Sequence, residues 1–115
     1  MYSQIVREQK EKYNIIGKND YDVIVTSGVS GALLLVFAAL LDEGSEILIP
    51  DPYFVGYKEI AVLLGAKPVA FDTYPDFVPR PEKLEALITQ KTKAIVIGNP
   101  SNPTGYVLSK NELGE

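Results

Sequence analysis

The segment "KAIVIGNPSNPTG", residues 93–105, joins a short apolar run to a turn that holds two glycines, two asparagines and two prolines. The apolar, β-branched run predicts a buried strand. Proline fixes φ and glycine permits positive φ, so residues 98–105 form neither a regular helix nor a regular strand. Asn102 offers one neutral donor group and one acceptor. The segment therefore predicts a strand that ends in a rigid turn presenting a carboxamide. The alternative is a structural turn in which Asn102 bonds its own backbone.

Further strands and helices alternate with this one along the chain. Strands are predicted for three short apolar runs: "DVIVT" at 22–26, "EILIP" at 46–50 and "KPVAF" at 67–71. Helices are predicted for four segments: 3–13, which ends by Gly17; 29–42, which ends before Gly44; the segment from about 57 to 64, capped by Gly65; and the segment that begins at Pro81 and aligns Leu84, Leu87 and Ile88. The helix over 29–42 is apolar on nearly every face, so we expect it to be buried on more than one side.

Short apolar strands that alternate with helices are typical of a parallel sheet with helices on its faces. We therefore predict one α/β domain over residues 1–115, with three α/β/α layers and a mainly parallel sheet. Ser109 and Glu112 have the spacing of a capping box, which predicts that a helix begins near the end of the sequence. We accordingly interpret the chain as a fragment of a longer protein.

Composition excludes several kinds of site and partner. The 115 residues include no cysteine and no histidine, which excludes disulfides, thiolate or imidazole metal sites and a histidine-based triad. The formal net charge is −4 without a basic cluster, which argues against a nucleic-acid partner. The longest apolar stretch has 11 residues, against about 20 for a membrane span. The N-terminus is polar, unlike a signal peptide, so we expect no membrane association and a cytoplasmic protein.

Ligands of open parallel sheets bind beyond the carboxyl ends of the strands, and three segments of this chain end strands there. "TSGVSGAL" begins an apolar helix whose first amides, together with the Ser30 hydroxyl, predict an anion site. In the alternative, Ser30 is an N-cap and the glycines form a turn. "IPDPYFVGY" offers aromatic rings for stacking on a flat ligand, unless Tyr53 and Phe54 pack the core. "GNPSNPTG" adds the carboxamide of Asn102.

These motifs in this order, "VTSGVSGAL", "IPDPYFVGY…LLGA" and "IGNPSNPTG", resemble the class I/II aminotransferases of the pyridoxal-phosphate fold type I family. The resemblance runs from about residue 21 to residue 109. It implies part of the cofactor-binding large domain, without the N-terminal arm, the small domain or the region of the Schiff-base lysine. It also implies a homodimeric parent enzyme.

The resemblance assigns roles to four residues that match the family motifs. Val29 and Ser30 correspond to the positions that bind the cofactor phosphate, and Phe54 to the aromatic residue that stacks on the pyridine ring. Asn102 corresponds to the asparagine that bonds the phenolic oxygen of pyridoxal 5′-phosphate. Tyr53 and Tyr57 are expected to support the turn rather than to contact the cofactor.

The implied catalytic groups lie outside this chain. The Schiff-base lysine, the aspartate that pairs with the pyridine nitrogen and the arginine that binds the substrate carboxylate are expected beyond Glu115. The chain therefore contains cofactor-binding residues, no catalytic residue and no metal site. The resemblance implies an aminotransferase that acts on an amino acid and a 2-oxo acid, with the fragment itself inactive. A carbon–sulfur lyase on the same scaffold and a non-enzymatic phosphate-binding module are the alternatives.

The resemblance also implies details of the backbone. "EILIP" is expected between "KPVAF" and "KAIVI" in the sheet. "DVIVT" is expected to pair beside "KAIVI" or with a second copy of the chain, since an unpaired strand edge is unfavourable. Cis peptide bonds are expected at Asp51–Pro52 and Asn102–Pro103.

Overall fold

The computed structural model describes Gln4, Arg7, Glu8 and residues 23–114. The helix expected over 3–13 lies outside the described residues apart from those three, which are helical. The elements of the remainder are α1 (Gly28–Leu40), β1 (Glu46–Asp51), α2 (Val55–Leu63), β2 (Lys67–Asp72), α3 (Pro81–Glu85) and β3 (Thr92–Ile95). Strands and helices alternate as the sequence predicts, and the fold is α/β.

The sheet has three strands in the order β2-β1-β3, and both pairings are parallel. In the register, Leu48 of β1 lies between Val69 of β2 and Ile95 of β3. Five of the six residues of β1 are buried, as a central strand covered on both faces requires. The predicted position of "EILIP" between the other two strands is confirmed.

Alternate residues of β1 enter two apolar layers. Ile47 and Ile49 pack in one cluster with Phe37 of α1 and Ala61 of α2. Leu48 is fully buried and, by the strand's alternation, faces the other side of the sheet. The helix α3 contacts β2. Because β1 and β3 are parallel, the segments that follow them emerge at one edge of the sheet.

The prediction of a buried strand at "DVIVT" is wrong for the described part of the segment. Residues 23–26 have no strand assignment, and the side chains of Ile24 and Val25 are 77% and 58% exposed. The described sheet therefore does not continue from β3 into this segment. A β-branched run forms a strand only where a neighbouring strand offers a hydrogen-bonding edge and a covered face, and these residues have no such face here. Pairing with a second copy stays a prediction.

Burial of α1 is also one-sided, contrary to expectation. Within α1, Phe37 is buried, whereas Leu35 and Val36 are 55% and 51% exposed. The helix contacts α2 and the core on one side, and no described element packs on its opposite side. Two other elements are shorter than expected. The helix α3 ends at Glu85, and the strand β3 ends at Ile95.

Glu46 opens β1 with a buried carboxylate that has two donors. It accepts hydrogen bonds from Thr89 Oγ1 at 2.7 Å and from Lys67 Nζ at 3.2 Å. The Thr89 hydroxyl, and then Lys67, lower the pKa of Glu46 from its ordinary value. A carboxyl whose pKa is depressed by folding stabilises the native state above its unfolded pKa, and this contribution is lost as the pH falls through the folded pKa.

We expect Glu46→Gln to lower the free energy of unfolding at pH 7 because it removes this charge. The difference from wild type should shrink as the pH falls below about 4.3, the ordinary pKa of glutamate. Urea denaturation of both proteins between pH 3 and pH 7 measures it, with Glu59→Gln on the exposed surface of α2 as the matched control. A difference independent of pH would contradict the assignment.

Candidate ligand-binding site

The sheet topology brings two of the candidate segments to one edge. β1 and β3 are adjacent and parallel, so both carboxyl ends lie on the same side of the sheet. β1 leads directly to Phe54, the N-cap residue of α2. β3 leads through residues 96–97 to the turn at 98–105 that carries Asn102. Phe54 and Asn102 therefore follow neighbouring strands at the edge where open parallel sheets bind ligands.

The helix α1 is held against the sheet by Phe37, which lies in the core cluster, and by Leu33, which packs against that cluster. α1 has 13 residues and so is about 20 Å long, and β1 has six residues and a similar length. Residues 41–45 join the end of α1 to the start of β1, and Phe37 packs on Ile47 and Ile49. The C-terminal end of α1 is therefore near the amino edge of the sheet, where residues 41–45 lead into β1. In the described residues no hydrogen bond or ring contact joins Val29 or Ser30 to Phe54 or Asn102.

The N-terminus of α1 has amides without a side-chain cap. The N-cap residue is Ser27, its side chain makes no capping hydrogen bond, and the first turn holds no acidic residue. The first N–H groups of a helix have no intrahelical partner, and the helix dipole adds positive potential there. Val29 and Ser30 are both exposed. The interpretation of Ser30 as an N-cap is therefore wrong, and its hydroxyl is accessible beside the uncapped amides.

The three aromatic residues after β1 divide into two groups. Tyr53 and Tyr57 pack against the main core cluster, which fits their expected supporting role. Phe54 is half-buried and is not part of that cluster. Its ring meets the Tyr57 ring edge-on, with 5.6 Å between centroids and 83° between planes. Tyr57 thus connects Phe54 to the core. The alternative in which Phe54 packs in the core is therefore wrong.

The turn at 98–105 uses one asparagine and leaves the other unused. Asn99 Oδ1 accepts the backbone N–H of Leu108 at 3.1 Å. Asn102 is exposed, and within the described residues its carboxamide makes no hydrogen bond. The alternative in which Asn102 bonds its own backbone is therefore wrong. The sequence analysis missed the structural role of Asn99, because both asparagines precede a proline and the local sequence does not distinguish them.

Backbone hydrogen bonds close this turn on itself. Ser101 N–H donates to the Tyr106 carbonyl at 2.8 Å, and Gly105 N–H donates to the Ser101 carbonyl at 2.7 Å. Gly105 has φ of 74°, a conformation that glycine adopts without strain. The peptide bonds Asp51–Pro52 and Asn102–Pro103 are cis, which confirms both predictions.

Glu112 ties the end of the turn to the segment that follows. Its carboxylate accepts the Tyr106 hydroxyl at 2.7 Å, the Ser109 N–H at 2.7 Å and the Ser109 hydroxyl at 2.6 Å. Glu112 N–H donates to Ser109 Oγ at 3.3 Å, so the reciprocal bonds of a capping box are present, but residues 110–114 form turns rather than the helix expected there. The Ser109 bonds lower the pKa of Glu112, and the Glu112 carboxylate raises the pKa of Tyr106. Asn102 is thus presented by a turn whose other polar groups are largely engaged.

Two hollows among the described residues lie at opposite edges of the sheet. A narrow cavity of about 10 Å³ lies between Pro50, Phe71 and the turn, and its lining includes neither Phe54 nor Asn102. A wider depression of about 330 Å³ lies at the opposite, amino edge, where Asp42, Glu43, Lys91 and Lys93 face it. Across residues 23–114 no cluster of three potential metal ligands occurs. No described helix is long and apolar enough to cross a membrane.

Comparison with known proteins gives consistent results. The family profile described as "Aminotransferase class I and II" matches residues 5–115. The chain is 39% identical over 113 residues to an aspartate aminotransferase of Pyrococcus abyssi, covering 96% of this chain and 29% of that protein. It is 42% identical over 113 residues to an aspartate aminotransferase of Bacillus subtilis, covering 96% and 28%.

The fold also matches solved structures of proteins that are named as aminotransferases. An alanine aminotransferase from Pyrococcus furiosus superposes with a TM-score of 0.89 at 40% identity, over 98% of this chain and 29% of that one. An N-succinyldiaminopimelate aminotransferase from Mycobacterium tuberculosis gives 0.88 at 30% identity, over 97% and 30%. The chain spans about 30% of the length of the relatives it matches.

The two asparagines of the turn should respond differently to truncation. We expect Asn99→Ala to lower the free energy of unfolding by about 1 kcal/mol, since it leaves the Leu108 N–H without its acceptor. Asn102→Ala should change it by less than about 0.5 kcal/mol, as for an exposed group without a partner. Urea denaturation measures both. Equal destabilisation by the two substitutions would show that Asn102 has a structural role.

Proposed function

The chain belongs to the class I and II aminotransferase family, and on that premise we propose that it is part of a pyridoxal 5′-phosphate-dependent enzyme that moves an amino group from an amino acid to a 2-oxo acid. The observation that carries the proposal is the unused Asn102 carboxamide, held on a braced turn at the same sheet edge as Phe54. A structural turn has no need of a polar group that bonds nothing among the described residues.

The groups available at this edge fit the cofactor. A phosphate suits uncapped amides at a helix N-terminus, which Val29 and Ser30 supply together with the Ser30 hydroxyl. A flat heteroaromatic ring suits the half-buried Phe54 ring, by stacking. A phenolic oxygen suits the amide N–H of Asn102, a donor that stays neutral at every physiological pH. The helix-start amides and hydroxyl, the aromatic ring and the carboxamide are chemically distinct groups, and pyridoxal 5′-phosphate has a partner for each.

Each of these residues binds or orients rather than reacts. The cofactor supplies the electron sink for the bonds at the substrate's α-carbon. The Val29 amide and the Ser30 hydroxyl fix the phosphate, Phe54 sets the plane of the ring, and Asn102 donates to the phenolic oxygen. The lysine, aspartate and arginine expected from the family lie outside this chain in the proposal, and we assign none of its own lysines to a covalent role. A homodimeric parent and a cytoplasmic location stay predictions.

Activity is tested on the complete gene product and on this chain in parallel. With pyridoxal 5′-phosphate, a panel of amino acids and 2-oxoglutarate, we expect the complete protein to form glutamate. Release of ammonia and a 2-oxo acid without glutamate would instead identify an eliminating enzyme, such as a carbon–sulfur lyase. Binding without turnover by the complete protein would favour the phosphate-binding module and contradict the proposal.

The chain of 115 residues should show no turnover above the protein-free rate and only weak cofactor binding. A phosphate site, one stacking contact and one amide contribute a few kcal/mol, from which an association cost of at least ~4 kcal/mol is subtracted. We expect a Kd in the millimolar range or weaker, measured by absorbance titration with Asn102→Ala as the comparison. Micromolar affinity, or turnover by the chain alone, would contradict the assignment of the missing groups.

A further inference from the structure

Gly56 stands at a position where the backbone does not require glycine. It is the second residue of α2, and its φ lies outside the positive range that favours glycine. In a helix, glycine is less favourable than alanine by about 1 kcal/mol. The presence of glycine at this position therefore needs an explanation other than backbone conformation.

The explanation is the Phe54 ring. A Cβ built on Gly56 would overlap Phe54 at Cε1 and would lie 3.1 Å from both Cδ1 and Cζ. The ring thus occupies the space that any side chain at position 56 would need. On another side the same ring contacts Tyr57 edge-on, and Tyr57 packs against the core. Phe54 is held between the backbone of Gly56 and a ring anchored in the core.

Gly31, a glycine within α1 whose φ is not positive, shows that this crowding is specific to position 56. A Cβ on Gly31 would lie 3.7 Å from the Cβ atoms of Ser27 and Thr26, which is ordinary van der Waals contact. Alanine therefore fits at position 31 without movement. At position 56 it fits only if the Phe54 ring rotates away from its present orientation.

We propose that Gly56 is a positioning residue that sets the orientation of the Phe54 ring, and through it the plane in which a flat heteroaromatic ligand stacks at this edge. The proposal rests on the proposed function, in which Phe54 is the stacking residue. Gly56 itself contacts no ligand in this account. Its contribution is the absence of a side chain on the path of the ring.

The test is a double-mutant cycle in the complete gene product with Gly56→Ala, Phe54→Leu and both together. We expect Gly56→Ala to weaken binding of pyridoxal 5′-phosphate about tenfold, the size of one aromatic contact. Binding of inorganic phosphate, which probes the α1 turn alone, should be unchanged. In the Phe54→Leu protein, adding Gly56→Ala should change cofactor affinity less than twofold. An unchanged affinity in Gly56→Ala, or the same loss in both backgrounds, would overturn the proposal.

Two measurements without cofactor keep the proposal separate from the proposed function. Nuclear Overhauser effects between the Phe54 ring and the Gly56 Hα protons are expected in wild type, and their absence would overturn the proposal. Gly31→Ala should raise the unfolding midpoint, whereas Gly56→Ala should raise it only in the Phe54→Leu background. If wild type shows these effects and binds no cofactor, the proposed function fails and the positioning of the ring by Gly56 stands.

Discussion

β1 has a parallel partner on each side, so its backbone groups are satisfied by β2 and β3 while both of its faces are covered. Both pairings are parallel, so β3 runs in the same direction as β1. Because the two strands point the same way, the segments that follow them emerge at one edge. The α1 helix packs through Phe37 in the same cluster as Ile47 and Ile49. The candidate site is thus a consequence of how a single strand is buried.

Rigidity at this edge comes from groups that do not face a ligand. Asn99 holds the Leu108 N–H, and Ser101 is paired with Tyr106 and Gly105. Glu112 gathers the Tyr106 hydroxyl and Ser109. These bonds order the turn in advance, so its entropy is not lost when a ligand binds. They leave the carboxamide of Asn102 without a partner among the described residues, so it is available as a single neutral donor.

The sequence predicts those features that depend on local pattern. The apolar runs at 46–50 and 67–71 become β1 and β2, and Ser109 and Glu112 exchange hydrogen bonds as their spacing predicts, although the residues after them form turns and not the expected helix. Features that depend on distant partners are not predictable in this way. The run at 22–26 has strand-like composition, yet in residues 23–26 it lacks a covered face. The sequence likewise predicts that α1 is buried on more than one side, yet its apolar outer face is exposed, because no described element packs on it. Asn99 and Asn102 have similar local sequences, but the folded chain places the Leu108 N–H beside Asn99 and no described hydrogen-bond partner beside Asn102.

The central claim is that Phe54, Asn102 and the start of α1 hold one ligand together. The most direct measurement is a crystal structure of the complete gene product with pyridoxal 5′-phosphate bound. The account predicts the Asn102 amide nitrogen about 3 Å from the phenolic oxygen, the pyridine ring stacked on Phe54, and the phosphate at the amides of Val29 and Ser30. A cofactor bound at the amino edge near Lys91, or one that leaves Asn102 beyond hydrogen-bonding distance, would contradict it.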